Sequence, residues 1–213
     1  KRACAKANAG LGLLPEDKAD AVCKACDRVL AGEFDEEFGI DVFQAGSGTS
    51  SHMNVCEVIA NIACEELGGK KGDRRLVHPN DHVNMGQSTN NVFPSAVRMA
   101  TAELSRDVQK ALVHLAETLG KKEQEFKSVI KSGRTHLQDA VPVTLGQEFG
   151  AWKRAMEKAA ERIGRGREAL LELGAGGNAI GTGLNTPKTF RSAILKELKG
   201  EYRLPENGIE ATQ

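Results

Sequence analysis

Apolar positions along this chain recur mostly at intervals of three or four, the spacing of one helix face. Lys1 to about Gly10 carries a helical pattern. A second helix restarts at Leu13-Leu14-Pro15-Glu16-Asp17, where proline suits the first turn and two acids complement the helix dipole. Ala19, Val22, Cys23, Cys26, Val29 and Leu30 fall on one face of it, and Gly32 ends it. Residues 33–51 are irregular. The period returns from Asn54 to Leu67, with Val55, Ile59, Ile62 and Leu67 inward and Gly68-Gly69 as the stop. Residues 68–91 read as a long loop, and a loop of that length inside a compact domain is usually functional or disordered.

The second half is more regular. Phe93, Val97, Ala100, Leu104, Val108, Ala111, Leu115 and Leu119 form a stripe, with Pro94 in the first turn and Gly120 as the expected end. A shorter piece covers about 121–130. Leu145, Phe149, Trp152, Met156, Ala159, Ile163, Gly166, Leu170 and Leu173 then alternate fours and threes, over roughly 43 Å at 1.5 Å per residue. A last helix is expected from about Pro187 to Leu198. Two long helices cannot enclose a core, so their seams call for cover from further sequence, other subunits or both. The expectation is an all-α chain: a helical N-terminal domain at 1–86 with long loops, then at 87–213 the first long helices of a helix-bundle domain. The chain opens at Lys1 inside a helical pattern and closes just after Pro205-Glu206-Asn207-Gly208, so a piece of a longer protein is expected.

Composition narrows the classes. Twenty-nine basic and 29 acidic side chains cancel, which leaves no overall field for nucleic acid or a membrane surface. No apolar run approaches the ~20 residues of a membrane span, and no signal peptide is visible. The five cysteines are an odd number, which suggests reduced thiols and a cytoplasmic setting. Cys23-x-x-Cys26 lies inside an alanine-rich helical pattern and reads as a pair of core thiols.

Three polar stretches stand apart from the helical patterns. The longest, Val77 to Asn91, has little apolar bulk and packs Asn, Gln, Ser and Thr just before a helix. Free N–H groups and the positive end of a helix dipole make such a start a place for an anion. A helix cap needs one of Gln87, Ser88, Thr89 and Asn90; four consecutive uncharged donors exceed that need. Gly46-Ser47-Gly48-Thr49-Ser50-Ser51 precedes a helix and reads equally as a capping loop. Gly133-Arg134-Thr135-His136 joins a cation, a hydroxyl and a titratable ring, or is a surface turn between two helices. His78, Asp81 and His82 have the wrong spacing for a helical metal pair, since Pro79 interrupts them, and no metal is expected. The glycines from Gly174 to Gly183 follow a helix rather than a strand, which rejects a phosphate cradle and suggests a tight backbone passage beside a site. The three stretches are read as converging on a small carboxylate-bearing substrate.

These stretches, in this order, resemble the fumarase/aspartase superfamily, in its class II fumarase and aspartate ammonia-lyase branch. The resemblance rests on Gly46-Ser47-Gly48-Thr49 with Met53-Asn54-Val55 and Glu57-Val58-Ile59-Ala60-Asn61, then His78-Pro79-Asn80-Asp81-His82-Val83-Asn84 and Gln87-Ser88-Thr89-Asn90. It continues through Gly133-Arg134-Thr135-His136-Leu137-Gln138-Asp139-Ala140, Leu145-Gly146-Gln147-Glu148-Phe149 and Gly181-Thr182-Gly183-Leu184-Asn185. It implies a reversible β-elimination that yields fumarate, without a cofactor, in a homotetramer whose active sites draw on three subunits. Ser47, Thr49, Ser88, Thr89, Asn90, Thr135 and His136 would hold the substrate carboxylates, with Thr135 and His136 closest to the catalytic chemistry. His78, Asn80 and Asp81 match a second anion site. Family members usually have Asn where His52 stands and Asp where Asn91 stands.

The family's Gly-Ser-Ser-x-Met-Pro-x-Lys-x-Asn loop, source of its base serine and a substrate-binding lysine, does not occur within residues 1–213, so the isolated chain is expected to be inactive. Gln87-Ser88-Thr89-Asn90, Phe149-Gly150-Ala151 and Ile209-Glu210-Ala211-Thr212-Gln213 lean towards aspartate ammonia-lyase. Asp41-Val42-Phe43-Gln44, Ser47 and His78-Pro79 lean towards fumarate hydratase and its substrate malate. The sequence reading favours aspartate. A non-catalytic helical oligomerisation scaffold is the reading from another class; it calls for no donor clusters in the loops.

Overall fold

A computed structural model describes residues 1–41, 43–44 and 46–210. Val42 and residues 211–213, which enter two of the substrate-leaning stretches, lie outside the described residues. The fold is all-α apart from one hairpin among the described residues: α1 (Arg2–Gly10), α2 (Glu16–Leu30), α3 (Thr49–Glu66), α4 (Thr89–Glu125), β1 (Ile130–Thr135), β2 (Gln138–Thr144), α5 (Leu145–Leu170) and α6 (Phe190–Leu198). No described helix is long and apolar enough to cross a membrane. The chain forms two compact units, residues 1–98 with 171–213, and residues 99–170.

The first unit is built on α2 and α3. Val22, Ala25 and Cys26 of α2 meet Cys56, Ile59, Ile62 and Ala63 of α3 in a core closed by Val77 and Val83. All five cysteines are buried free thiols. α1 packs on α2 and on α6, whose Phe190 and Ile194 are fully buried. Leu171 and Leu173 exchange backbone hydrogen bonds with Arg203, which ties the end of the described chain to the unit.

Three boundaries differ from the sequence reading, each for a local reason. Helix α3 starts five residues earlier than the apolar period, because Gly48 takes a left-handed conformation (φ 84°) ahead of Thr49 and supplies the turn into it. The loop from Gly68 holds a single π-helical turn, Pro79–Val83, and α4 begins within its expected end, at Thr89. Helix α4 also runs past Gly120 to Glu125, 37 residues in all, or roughly 55 Å at 1.5 Å per residue. A Cβ at Gly120 would sit 3.4 Å from the Lys153 side chain, so that glycine keeps a helix contact close rather than ending a helix.

In the second unit α4 and α5 touch through small groups. Gly146 and Gly150 lie against Lys127 and Glu123, and Gln109 donates from Nε2 to the Ala160 carbonyl at 3.1 Å beside Gly164. The apolar stripe does not face this contact: Leu104, Val108, Leu115 and Trp152 are exposed. The segment from 130 to 144, of which only Gly133 to His136 was read, as a polar cluster or a surface turn between helices, is an antiparallel hairpin. Thr135 pairs with Gln138, and both intervening residues have positive φ, His136 at 53° and Leu137 at 61°. That is the signature of a type I′ turn, which favours Asn and Gly. Leucine in that conformation costs roughly 1 kcal/mol. Leu137→Gly is therefore expected to raise hairpin protection in amide hydrogen exchange several-fold, and unchanged exchange would count against a strained turn.

Candidate functional site

The first unit holds an open cavity of about 570 Å³. One wall is Asn80, Asp81, Asn84, Met85, Gly86, Gln87 and Ser88; the other is Asn178, Ala179, Ile180, Thr182, Leu184 and Asn185. Two stretches singled out in the sequence therefore meet here: the polar run before α4 and the glycine passage after α5. Asn90 Nδ2 joins them by donating to the Ala179 carbonyl at 2.9 Å.

The first wall is shaped by the π turn. His78 closes its start: Nδ1 accepts from the Asn80 and Asp81 amides at 3.2 and 3.1 Å, while the His78 amide donates to His82 Nδ1 at 2.7 Å. With Nδ1 accepting, a neutral His78 carries its proton on Nε2 and keeps it for another acceptor. Burial, then the Lys18 charge, lowers the His82 pKa. Both ring nitrogens of His82 and Nδ1 of His78 are thus committed, to backbone amides and to Lys18. Gly86 turns with φ 67°, and its open side rests on the Phe190 ring.

The wall ends at the start of α4. Ser88 Oγ accepts from the Asn90 amide at 3.2 Å and Asn91 Oδ1 accepts from the Ser88 amide at 3.3 Å, a reciprocal cap in which asparagine does the work of an acid. Ser88 thus sits on the cavity at the positive end of a long helix, where early N–H groups lack intrahelical acceptors. Gly48 packs on Phe93 of the same helix, which sets Ser47 and Thr49 near its first turns.

Beneath this wall lies a polar network. Lys1 Nζ reaches His52 Nε2 at 2.6 Å, Asn84 Oδ1 at 2.9 Å and Gln87 Oε1 at 2.9 Å. His52 Nδ1 lies 2.7 Å from Thr89 Oγ1. His52 is 4% exposed. Burial, then the charge of Lys1, pushes its pKa down to about 4. Burial also lowers that of Lys1. Lys1 carried no signal in the sequence, because a lysine ending a helical pattern reads as a solvated residue.

Thr135 and His136 belong to the second unit, at the exposed tip of the hairpin, where Arg134 Nε donates to Asp139 Oδ1 at 3.1 Å. In the glycine passage, Asn178 and Asn185 take positive φ, and Asn178 donates to the Leu184 carbonyl. Neither was singled out in the sequence; asparagines interleaved with glycines are the cue, since asparagine tolerates left-handed backbone.

Fold and site together define a helical scaffold with a donor-lined cavity at a helix start. Residues 1–213 match the family described as Lyase, and the chain belongs to that family, the fumarase/aspartase superfamily. It is 51% identical to the class II fumarate hydratase of Halobacterium salinarum over 99% of this chain and 46% of that protein. It is 44% identical to the aspartate ammonia-lyase of Helicobacter pylori over all of this chain and 46% of that one. A crystal structure of a fumarate lyase:delta crystallin from Brucella melitensis, bound to cobalt, superposes with a TM-score of 0.90 at 44% identity, over 99% of this chain and 47% of that chain. The chain spans about half the length of the curated relatives it matches.

Proposed function

We propose that the whole protein interconverts fumarate and malate, adding and removing water as a class II fumarate hydratase. The observation that carries this is the cavity in which Ser88, at the start of α4, faces the glycine passage. In a β-elimination a proton leaves the carbon beside one carboxylate, and charge builds on that carboxylate in the transition state. Fixed donors placed there in advance stabilise it without reorganisation. Ser88, Thr89 and Asn90 supply hydroxyls, an amide and the helix dipole. Ser47 and Thr49 are the further carboxylate contacts of this unit, Thr135 and His136 are carboxylate contacts for a site assembled from several copies, and His78, Asn80 and Asp81 form the second anion site. Family membership supports these roles, and the identities of the relatives support water over ammonia as the leaving group.

This departs from the aspartate preference drawn from Gln87-Ser88-Thr89-Asn90, Phe149-Gly150-Ala151 and Ile209-Glu210-Ala211-Thr212-Gln213. Deamination of aspartate stays as the second reading, favoured by that loop and by the 44% identical ammonia-lyase. The exposed seam of α4 and α5 supports cover by other copies in a homotetramer. We take the working protein to be cytoplasmic and cofactor-free, with an N-terminal domain at 1–86, and the 213-residue chain alone to be inactive.

The test is fumarate absorbance with the whole protein, given L-malate and L-aspartate in separate cuvettes. Signal from malate alone supports the hydratase, signal from aspartate alone the second reading, and signal from neither overturns both. Ser88→Ala is expected to lower kcat/KM on the active substrate about 10²-fold, the size of effect seen for loss of one oxyanion donor. A change below threefold removes Ser88 from the site.

A further inference from the structure

The polar network under the cavity wall has a direction. An ammonium has three N–H donors and no lone pair to offer. Lys1 Nζ has three acceptors within 2.9 Å, namely His52 Nε2, Asn84 Oδ1 and Gln87 Oε1. An ammonium cannot accept, so across the 2.6 Å contact His52 Nε2 is the accepting nitrogen. A neutral imidazole accepts at one nitrogen and donates from the other, so the proton of His52 sits on Nδ1. Nδ1 lies 2.7 Å from Thr89 Oγ1 and donates to it. The Thr89 hydroxyl then receives one proton from inside the unit and keeps its own for a partner outside.

We propose that His52 is a positioning residue: held by Lys1, it donates its ring proton to Thr89 and so commits that hydroxyl to donating towards a substrate carboxylate. Thr89 enters as the carboxylate contact proposed above, so the inference rests on that reading. The arrangement does more than hold a rotamer. Hydrogen bonds in a chain polarise one another, so the buried cation sharpens each donor in turn. A carboxylate held by Thr89, the residue after the cavity-lining Ser88, meets the effect of a lysine without touching one. Lys1 also accounts for the amides of the wall. With Asn84 Oδ1 and Gln87 Oε1 turned inward, Asn84 Nδ2 donates to Asn80 Oδ1 at 3.2 Å and Gln87 Nε2 to the Val83 carbonyl at 3.0 Å.

The experiment pairs two side chains of one shape and opposite hydrogen-bonding sense in the whole protein. His52→Gln accepts from Lys1 and donates to Thr89. His52→Glu accepts from both, so the Thr89 hydroxyl turns inward. With the dicarboxylate that proves active, His52→Gln is expected to stay within threefold of the parent KM. His52→Glu is expected to raise KM at least tenfold with kcat changed less than threefold. Its thermal midpoint should hold, because the introduced carboxylate faces the Lys1 ammonium. Both are repeated on Thr89→Val, where the difference between Gln and Glu should fall below twofold. Equal KM values for Gln and Glu, or a difference that survives Thr89→Val, overturn the relay and leave packing or bulk charge as the role of His52. Thr89→Val with parental KM instead overturns the assignment of Thr89 as a carboxylate contact. If His52→Glu does not fold, His52→Asn and His52→Asp repeat the comparison with the same expected order.

Discussion

Replacing Phe190 with alanine is expected to lower the stability of the protein by about 3–5 kcal/mol. Phe190 opens α6 and is fully buried, the largest such side chain among the described residues. Its ring lies against Gly86: a Cβ there would meet Cε1 and Cζ at 3.0 Å. On its other side α6 packs on α1. Truncation removes the ring's transfer free energy and leaves a void that two helices and a turn cannot close together. The urea midpoint should fall with an unchanged slope, since the surface exposed on unfolding hardly changes. The cavity wall should also suffer, because Gly86 sits between Met85 and Ser88 and loses its floor. Faster hydrogen exchange at residues 84–88 than in α2 of the same variant would show that. A loss under 1 kcal/mol would mean that α6 is not the support of this wall.

That support was not legible in the sequence. Phe190 reads as one apolar position in a short amphipathic helix, and nothing nearby points to Gly86, more than a hundred residues earlier. What the sequence displays is periodicity, and periodicity served where one face packs on a neighbour. The face of α2 lies in the core at Ala19, Val22, Cys23 and Cys26 as its spacing requires, with Val29 partly buried, while Leu30 at the helix end is exposed. The seams of α4 and α5 were also legible, and the exposure of Leu104, Val108, Leu115 and Trp152 shows a stripe with nothing on it in a single chain.

Periodicity failed where backbone conformation, rather than burial, decides. The hairpin at 130–144 is largely exposed on both faces, so its strands show no alternation of apolar and polar residues. Its turn uses His136 and Leu137 in place of the usual Asn-Gly, which hides the turn signal. Gly120 and Gly48 carry opposite meanings that one letter does not separate: the first admits a neighbouring helix, the second starts one. At the site the balance reversed. Ser88 was marked by clustered donors, Asn80 and Asp81 by the resemblance, and all three are found on the cavity, whereas the glycine passage gave only its closeness and not its asparagines.

Positions 52 and 91 depart from the residues the resemblance leads one to expect, and the structure gives each a partner. Asn91 caps Ser88, with its own Nδ2 buried and unpaired. His52 spans from Lys1 to Thr89. Neither residue leaves the wall without its hydrogen bonds: a neutral group stands in for another neutral group at 52, and for a charge at 91.

His52 should also set how the protein meets acid. Burial, then the charges of the Lys1 side chain and of the amino terminus beside it, hold its folded pKa at about 4, below the 6.5 of an exposed histidine. Between those values the unfolded chain binds a proton that the folded chain refuses. Stability therefore rises with pH across that window. The contribution is fully present above pH 6.5 and is lost as pH falls to 4. A gap of that width corresponds to roughly 3 kcal/mol, a large share of the 5–15 kcal/mol that folded proteins possess. Protonation has a local reason to be costly: a second proton on Nε2 would face the Lys1 ammonium 2.6 Å away, in a buried site that screens the two charges poorly. Urea midpoints at pH 7 and pH 4 separate this from the general effect of acid, which His52→Gln shares without titrating. The parent should lose about 3 kcal/mol more than His52→Gln between the two pH values. Equal losses would mean that His52 accepts its proton freely, and a histidine able to do so could not be the accepting partner of Lys1.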